Sequence, residues 1–127
     1  QGVNFMFVPD DTPELLMGMA AAGAQVLVFT TGGGIPAHLQ RTPAMVGRFD
    51  ILPIIRVVGN SGDYEKMQDY FDINAGTILL KQERIEEVGD RIFDEVLTVA
   101  SGKRTAMERM KMDYIEPLKM YSRGPLI

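Results

Sequence analysis

Short, nearly continuous apolar runs constrain the fold of this chain more than any other feature of its sequence. The clearest is Gln25–Thr30, and Val3–Val8 and Pro53–Gly59 have the same character. Runs of this length without polar alternation are typical of strands that are covered on both faces, as in parallel sheets. A helix pattern separates the first two runs, which predicts a βαβ unit with parallel strands and a right-handed crossover.

Helix signals alternate with these runs. The first predicted helix begins at Asp11 or Thr12, either of which can cap it, and ends at Gly23, because glycine readily adopts left-handed backbone. The strongest helix is predicted over Arg84–Ser101, where apolar side chains share one face and acidic ones the other. Weaker patterns predict a turn and cap at Asn60–Asp63, a short helix over Tyr64–Tyr70, a loop over Asp72–Gly76, a short extended piece over Thr77–Leu80 and a turn or two of helix over Thr105–Met112.

The order of these elements predicts an α/β fold, a three-layer Rossmann-like domain with a small, mainly parallel sheet. The chain has 127 residues, enough for one domain with a buried core, and we assign residues 3–127 to it. Gln1-Gly2 immediately precede the first strand-like run and could be the remnant of an engineered protease site. On that interpretation residues 3–127 are a cloned fragment of a larger protein.

Composition narrows the classes of partner. The formal net charge is -4, so no basic field is present to hold a nucleic acid backbone. No apolar run approaches the roughly 20 residues that span a bilayer. Cysteine is absent and His38 is the only histidine, so a metal site here would need mostly oxygen ligands. We expect no nucleic acid and no membrane as partner and a cytoplasmic location, and self-association into a homo-oligomer stays open.

The most informative motif is Thr30-Thr31-Gly32-Gly33-Gly34, which follows a buried strand directly. Ligands of open α/β sheets bind outside the carboxyl ends of strands. Glycines let backbone N–H groups close around an anion, and threonine hydroxyls add donors. The motif therefore predicts a carboxylate or phosphate site, and the alternative is a tight exit turn with no ligand. The spacings G-x-G-x-x-G and G-x-x-x-x-G-K-[ST] are absent, so neither a dinucleotide nor a nucleoside triphosphate is indicated.

Three further polar positions are candidates for the same crevice. Asp72 and Asn74 stand two residues apart, so in an extended segment they could bind hydroxyls or a hard cation together, or else form an Asx turn on their own backbone. Asn60 follows the third strand and could face the crevice or cap the next helix. His38 could act as a general acid or base, although an ordinary solvated loop histidine is the simpler interpretation.

Five pieces of this sequence occur together, in the same order and at similar spacing, in one family of enzymes. The pieces are Asp11-Thr12-Pro13, Ala22–Val26 leading into Phe29–Gly34, Pro53–Val57 with Gly59-Asn60, Met67 followed by Asp72–Gly76, and Ile85–Gly89 with Ile92-Phe93 closing at Val99–Lys103. Across most of residues 5–104 the chain resembles the C-terminal region of the altronate/galactarate dehydratase family, which also contains sulfolactate sulfo-lyases.

The resemblance implies an activity for the full-length enzyme. Members of the family remove water from acyclic sugar acids such as altronate or galactarate to give a 2-keto-3-deoxy acid. They are associated with a divalent metal, usually iron or manganese, and we predict no metal in this fragment. Abstraction of a proton next to a carboxylate needs a base and stabilisation of the enediolate. We expect much of that chemistry upstream of this chain and leave the catalytic residues unassigned. The predicted substrate-binding residues are Thr30, Thr31, Gly32, Gly34, Asn60, Asp72 and Asn74.

Two departures from the family pattern bear on substrate binding. The family usually has Thr-Thr-Gly-Arg-Gly, and Gly33 stands where that arginine would make a bidentate contact with a carboxylate. The segment between Gly34 and Pro53 is also longer than usual. We therefore keep two alternatives open: a sulfolactate sulfo-lyase-like carbon–sulfur lyase, and a non-catalytic anion-binding or scaffolding domain. As partners we expect a small sugar acid and the upstream domains of the same enzyme, and we expect no activity from the isolated fragment.

Overall fold

The structure is a computed structural model that describes residues 2–6, 12–33 and 51–110. Within these ranges helices and strands alternate along the chain. The elements are α1 (Thr12–Ala21), β1 (Leu27–Thr31), β2 (Ile54–Val58), α2 (Ser61–Lys66), a 3₁₀ turn (Gln68–Tyr70), β3 (Ile73–Asn74), α3 (Ile85–Ala100) and α4 (Ala106–Arg109).

The central strand of the sheet is β2. The described strands form a three-stranded sheet in the order β1-β2-β3, and both pairings are parallel. Thr31 of β1 lies opposite Val58, and Val58 lies opposite Asn74 of β3. Every residue of β2 is buried, as expected for a strand with neighbours at both edges and helices over both faces. The small parallel sheet and the α/β class are therefore confirmed.

Helices cover the two faces of the sheet with separate apolar clusters. On one face Leu16 of α1 shares a buried cluster with Leu27 and Ile54. On the other face Val99 of α3 shares a buried cluster with Ile55 and neighbouring side chains of β2 and β3. Burying an aliphatic side chain of this kind stabilises the fold by about 2 kcal/mol, so the two clusters hold both helix layers on the sheet.

Local signals mark the start of α3 and the ends of α1 and α3 close to where the sequence predicts them. The backbone N–H of Arg84 donates to Oε2 of Glu87 at 2.7 Å and so satisfies a donor at the start of α3. Gly102 follows α3 with φ of 105° and Gly23 follows α1 with φ of 96°, the left-handed backbone that glycine adopts at low cost. The predicted Arg84–Ser101 helix is confirmed. The first helix is confirmed over Thr12–Ala21, and the capping candidate Asp11 lies outside the described residues.

The short helices differ from their predicted bounds. The helix predicted over Tyr64–Tyr70 begins earlier, as α2, and is completed by the 3₁₀ turn, because Asn60 caps the chain directly after β2. The helix predicted over Thr105–Met112 is the short α4. Across the part of the chain that the structure describes, no helix is long and apolar enough to cross a membrane.

Two strand predictions are wrong. Residues 3–6 of the run Val3–Val8 are not in a strand, and Val3 and Phe5 are 86% and 97% exposed; positions 7 and 8 lie outside the described residues. The piece Thr77–Leu80 forms turns, with Leu79 N–H donating to the carbonyl of Gly76 at 3.1 Å. The third strand lies instead inside the predicted loop Asp72–Gly76. A two-residue strand has no pattern of its own, and pairing with β2 makes it extended.

Candidate functional site

The carboxyl ends of the three strands meet at one edge of the sheet. The N–H of Gly59 donates to the carbonyl of Thr31 at 2.8 Å, and the N–H of Ala75 donates to the carbonyl of Val58 at 2.8 Å. The loops after β1, β2 and β3 therefore leave the sheet side by side. Neighbouring strands lie about 4.8 Å apart, so the tips of β1 and β3 are separated by about 10 Å. The sequence prediction that these motifs share one edge agrees with this geometry.

A cavity of about 390 Å³ opens between the strand ends and α3. Thr30, Thr31 and Gly32 form its polar rim on the β1 side. The α3 side and the turn after β3 contribute apolar walls. The remaining lining residues are Val57, Gly59, Ala75, Ile78, Ile85, Val88, Gly89 and Ile92.

The glycine tip after β1 keeps backbone donors available. None of the described residues accepts a hydrogen bond from the N–H of Gly32 or Gly33. A Cβ built on either glycine meets nothing within 4 Å, so space is open around both. Unpartnered amides beside threonine hydroxyls are the feature that an anion-binding tip requires. Gly34, the last predicted residue of this tip, lies outside the described residues.

Asn60 caps α2, and Asn74 joins the loop after β3 to the beginning of α2. Asn60 Oδ1 accepts from the N–H groups of Gly62 at 2.9 Å and Asp63 at 3.3 Å, which is the helix-cap geometry. Asn74 Oδ1 accepts from the N–H of Gly76 at 2.9 Å, an Asx turn, and from Oγ of Ser61 at 3.2 Å. Both side-chain oxygens are thus used within the chain, and any contact of these residues with a ligand falls to their amide nitrogens.

Gly76 lies where no side chain fits. A Cβ built on Gly76 would lie 2.7 Å from Oγ of Ser61 and 3.0 Å from the backbone carbon of Asn60, and it would also collide with the backbone nitrogen of Ser61. The loop after β3 therefore touches the beginning of α2 backbone to backbone. This contact sets the spacing between the β2 and β3 ends of the crevice.

The structure turns Asp72 away from the crevice. Its side chain is 1% exposed, and its two oxygens accept from the backbone N–H groups of Arg56 at 2.9 Å and Ala106 at 2.7 Å. Burial raises the pKa of Asp72, while these two hydrogen bonds and the guanidinium of Arg109 lower it in part. Among the described residues, Asp72 joins β2 to α4, and this geometry favours a structural role over the predicted contact with substrate.

Arg56 is the buried group that the sequence analysis did not single out. Its guanidinium carbon lies 5.1 Å from the centre of the Phe71 ring and its Nη1 contacts Sδ of Met107 at 3.2 Å. Nε and Nη2 are buried and have no partner among the described residues. Burial lowers the pKa of Arg56 to about 10, with Asp72 opposing the shift. The sequence signal that could have identified Arg56 is its position as a charged residue in the middle of an apolar strand.

The described residues do not offer a metal centre. No group of three or more histidine, cysteine, aspartate or glutamate side chains lies close enough there to hold a metal ion. The one acidic candidate at the strand ends, Asp72, already accepts two backbone hydrogen bonds. His38 lies outside the described residues. The iron or manganese implied by the resemblance therefore has no fitting set of ligands in this part of the chain.

Fold and site together define a small parallel α/β domain with an open crevice at its strand ends. The chain belongs to the family described as D-galactarate/Altronate dehydratase, C-terminal, which matches residues 1–123. This confirms the family resemblance identified in the sequence.

The chain is also similar to individual enzymes of this family. The chain is 40% identical over 84 residues to Galactarate dehydratase (L-threo-forming) of Escherichia coli strain K12, covering 66% of this chain and 14% of that enzyme. It is 26% identical over 108 residues to Altronate dehydratase of the same strain, covering 85% and 19%. It is 25% identical over 96 residues to (2R)-sulfolactate sulfo-lyase subunit beta of Chromohalobacter salexigens, covering 74% and 24%. The chain thus spans less than a quarter of the length of these relatives.

Replacing Gly76 by alanine should destabilise the chain by about 3 kcal/mol, because the added methyl group collides with backbone at Ser61 and forces the two loops apart. Urea unfolding followed by circular dichroism measures the change. Gly89→Ala is the matched control, since a Cβ there meets nothing within 4 Å. Alanine is also the better helix former, so this control should be neutral or stabilise by about 1 kcal/mol. Equal stabilities for the two variants would contradict the close approach.

Replacing Asp72 by asparagine should lower the free energy of unfolding by about 2 kcal/mol at neutral pH, because an amide can accept only one of the two backbone N–H bonds and leaves the other donor unpaired. Asp69→Asn, on an exposed position of the preceding turn, should change stability little. Chemical denaturation of both variants makes the comparison.

The same pair of variants tests the pKa of Asp72. Because this pKa is raised above 3.8 in the folded chain, the folded state holds the proton more tightly than the unfolded state. The carboxyl group therefore contributes more stability below pH 3.8, and that part is lost as pH rises through the folded pKa. The stability difference between the parent and Asp72→Asn should shrink over this window, and a difference that grows with pH would refute the assignment.

Proposed function

We propose that the chain is the C-terminal domain of a sugar-acid dehydratase, a hydro-lyase that converts an aldonate or aldarate such as altronate or galactarate to a 2-keto-3-deoxy acid. The observation that carries the proposal is the family match over residues 1–123, together with 40% identity to a galactarate dehydratase. The Rossmann-like assignment of the fold and a cytoplasmic location belong to the same proposal.

The rim of the crevice supplies the chemistry that such a substrate requires. The carboxylate of the sugar acid accepts from the N–H groups of Gly32 and Gly33, which have no acceptor in the described part of the chain, and its hydroxyl groups reach the side chains of Thr30 and Thr31. A short anion bound by several aligned donors in a partly enclosed crevice loses less to solvent screening than it would on an open surface. This division matches an acyclic molecule with a negative head and a polyhydroxy tail.

The base and the metal belong, in this proposal, to the rest of the enzyme. No carboxylate lines the described part of the crevice, and Asp72 beside it is turned away and engaged by backbone donors. Proton removal next to a carboxylate needs a base and positive charge near the developing enediolate. A divalent iron or manganese ion bound by other residues of the enzyme would supply that charge, and this domain would hold the substrate in place.

A carbon–sulfur lyase is the second candidate. The relative (2R)-sulfolactate sulfo-lyase subunit beta supports it, at 25% identity over 96 residues. A sulfonate and a carboxylate are both anions, so the same amide rim could hold either. A non-catalytic anion-binding domain is the third candidate, and the glycine at position 33 is the feature that favours it.

The full-length natural protein that contains this chain distinguishes the three candidates. We expect it to release a 2-keto-3-deoxy acid from altronate or galactarate under anaerobic conditions with iron or manganese, and the chain of 127 residues alone to be inactive. Sulfite released from sulfolactate supports the second candidate, and binding without turnover the third. Turnover by the isolated chain would contradict the assignment of base and metal to other parts of the enzyme.

Gly33→Arg is a sharper probe of the proposed carboxylate site. A Cβ built at position 33 meets nothing within 4 Å, so a side chain can leave the backbone there without a clash. An arginine there adds a charge-assisted pair of hydrogen bonds to the carboxylate, which corresponds to about a tenfold lower KM or Kd for the sugar acid.

Gly33→Gln is the control for this probe, because it adds a long polar side chain without the charge. Isothermal titration or steady-state kinetics on the full-length protein measures both variants. An arginine variant that binds the acid no better than the glutamine variant would argue against a carboxylate at this tip.

A further inference from the structure

One flank of α3 is apolar and uncovered. Ile85, Phe93 and Leu97 are 67%, 63% and 52% exposed, whereas the same helix buries Val88 and Val99. Exposed apolar side chains that stand singly are ordinary on protein surfaces, but a contiguous group of large ones marks a contact surface. Such a group lies here beside an apolar cavity.

The uncovered flank faces the β1 side of the sheet. Arg91 lies on the opposite flank, where its Nη2 donates to the carbonyl of Asn74 on β3 at 2.8 Å. Successive residues of a helix are about 100° apart, which sets Phe93 and Leu97 across the helix from Arg91, away from β3. Across the sheet from β3, Val28 of β1 points to the same layer and is 41% exposed.

Val28, Ile85, Phe93 and Leu97 thus lie exposed in the same layer, and these four residues are called the uncovered face. It continues into the cavity at the strand ends, because Ile85 is also a lining residue there. No described residue covers this face, and β1 has a pairing partner on only one edge among the described strands. Among the described residues, the layer above β1 is therefore incomplete.

Charge at the edge of the uncovered face indicates the chemistry of what covers it. Glu86 and Asp90 are exposed on the same flank of α3 as Phe93 and Leu97. A partner surface with an apolar centre and basic side chains at its edge would be complementary to the uncovered face and its acidic edge. A second copy of this chain is less suitable, because a two-fold contact would bring the acidic edges of both copies into one interface.

We propose that the uncovered face is the docking surface for the remainder of the same enzyme, an apolar segment edged by lysine or arginine that packs on Phe93, Leu97 and Val28 and closes the α3 side of the crevice. The relatives leave room for such a segment, since this chain spans only 14% of the galactarate dehydratase and 24% of the sulfo-lyase subunit. The inference rests on the proposed function only in that it takes the chain as one part of a longer enzyme.

Docking on this face explains why the crevice has two unlike walls. The polar rim at Thr30–Gly33 is left for the substrate, whereas the apolar wall of α3 excludes water once a second apolar surface covers it. Excluding water strengthens hydrogen bonds between the rim and an anion. The domain then contributes one half of a closed site, and the docked segment contributes the other.

Thiol labelling tests the docking surface directly, because the chain contains no cysteine. Phe93→Cys places a thiol at the centre of the face. Thr98→Cys is the matched control, an exposed position of the same helix on another flank whose hydroxyl bonds only within α3. Both variants are prepared in the isolated chain and in the full-length protein, and the labelling rate at each position is read by peptide mass spectrometry.

In the isolated chain both thiols should react at similar rates, and in the full-length protein the thiol at position 93 should react at least about tenfold more slowly than the one at 98. Equal rates in the full-length protein overturn the proposal. Slow labelling of position 93 in the isolated chain also overturns the proposal. If dilution restores the labelling rate, a second copy of the chain covers the face. If dilution leaves the rate low, another segment of the same chain covers it. The labelling rate does not depend on turnover, so the docking proposal is tested independently of the dehydratase activity.

Discussion

The backbone contact between Gly76 and Ser61 is the constraint on which the shape of the crevice depends. The loops after β2 and β3 leave adjacent parallel strands, and without a close approach they would diverge as helices and turns grow around them. Glycine at position 76 lets the two backbones touch, and Asn74 Oδ1 then bonds to both sides of the contact. The β2–β3 half of the edge is therefore held together by these contacts, and the β1 tip, whose glycine amides have no acceptor among the described residues, is the half left available to a ligand.

A second constraint holds the opposite layer in place. The carboxylate of Asp72 accepts one backbone N–H from β2 and one from the start of α4, so a single buried charge joins a strand to a helix distant in sequence. Burying a carboxylate is costly, and it is tolerated only where hydrogen bonds replace the lost water. The nearby cation of Arg56 and the guanidinium of Arg109 reduce that cost further. Asp72 and Asn74 therefore have different surroundings: the side chain of Asp72 lies between β2 and α4, and that of Asn74 lies beside the crevice.

The difference between the two residues shows how far the sequence could lead. Apolar runs and caps are local signals, and they predict β1, β2, α1 and α3 within a residue or two of their ends. The motif order also predicts correctly that the glycine tip and the Asp-Ile-Asn segment share one edge of the sheet. Which way Asp72 and Asn74 point depends on the pairing of β3 with β2, a long-range contact with no local pattern, because alternate residues of any strand face opposite sides. The burial of Arg56 could not be predicted for a related reason: its surroundings are formed by Phe71 and Met107, which are distant from it in the sequence.

The uncovered flank of α3 follows from how the strands of this sheet are covered. A parallel sheet is stable when both of its faces are covered, since its strands are apolar on both sides. Here β2 meets that condition and β1 does not, because Val28 and the flank of α3 that carries Phe93 and Leu97 have no cover among the described residues. In an open crevice water screens the amides of the rim, which weakens their hydrogen bonds to an anion. Water also hydrates the apolar wall of α3, which is unfavourable in free energy. Covering that wall with apolar polypeptide removes both penalties at once, so burial of α3 and tighter binding of an anion at the β1 tip become a single event.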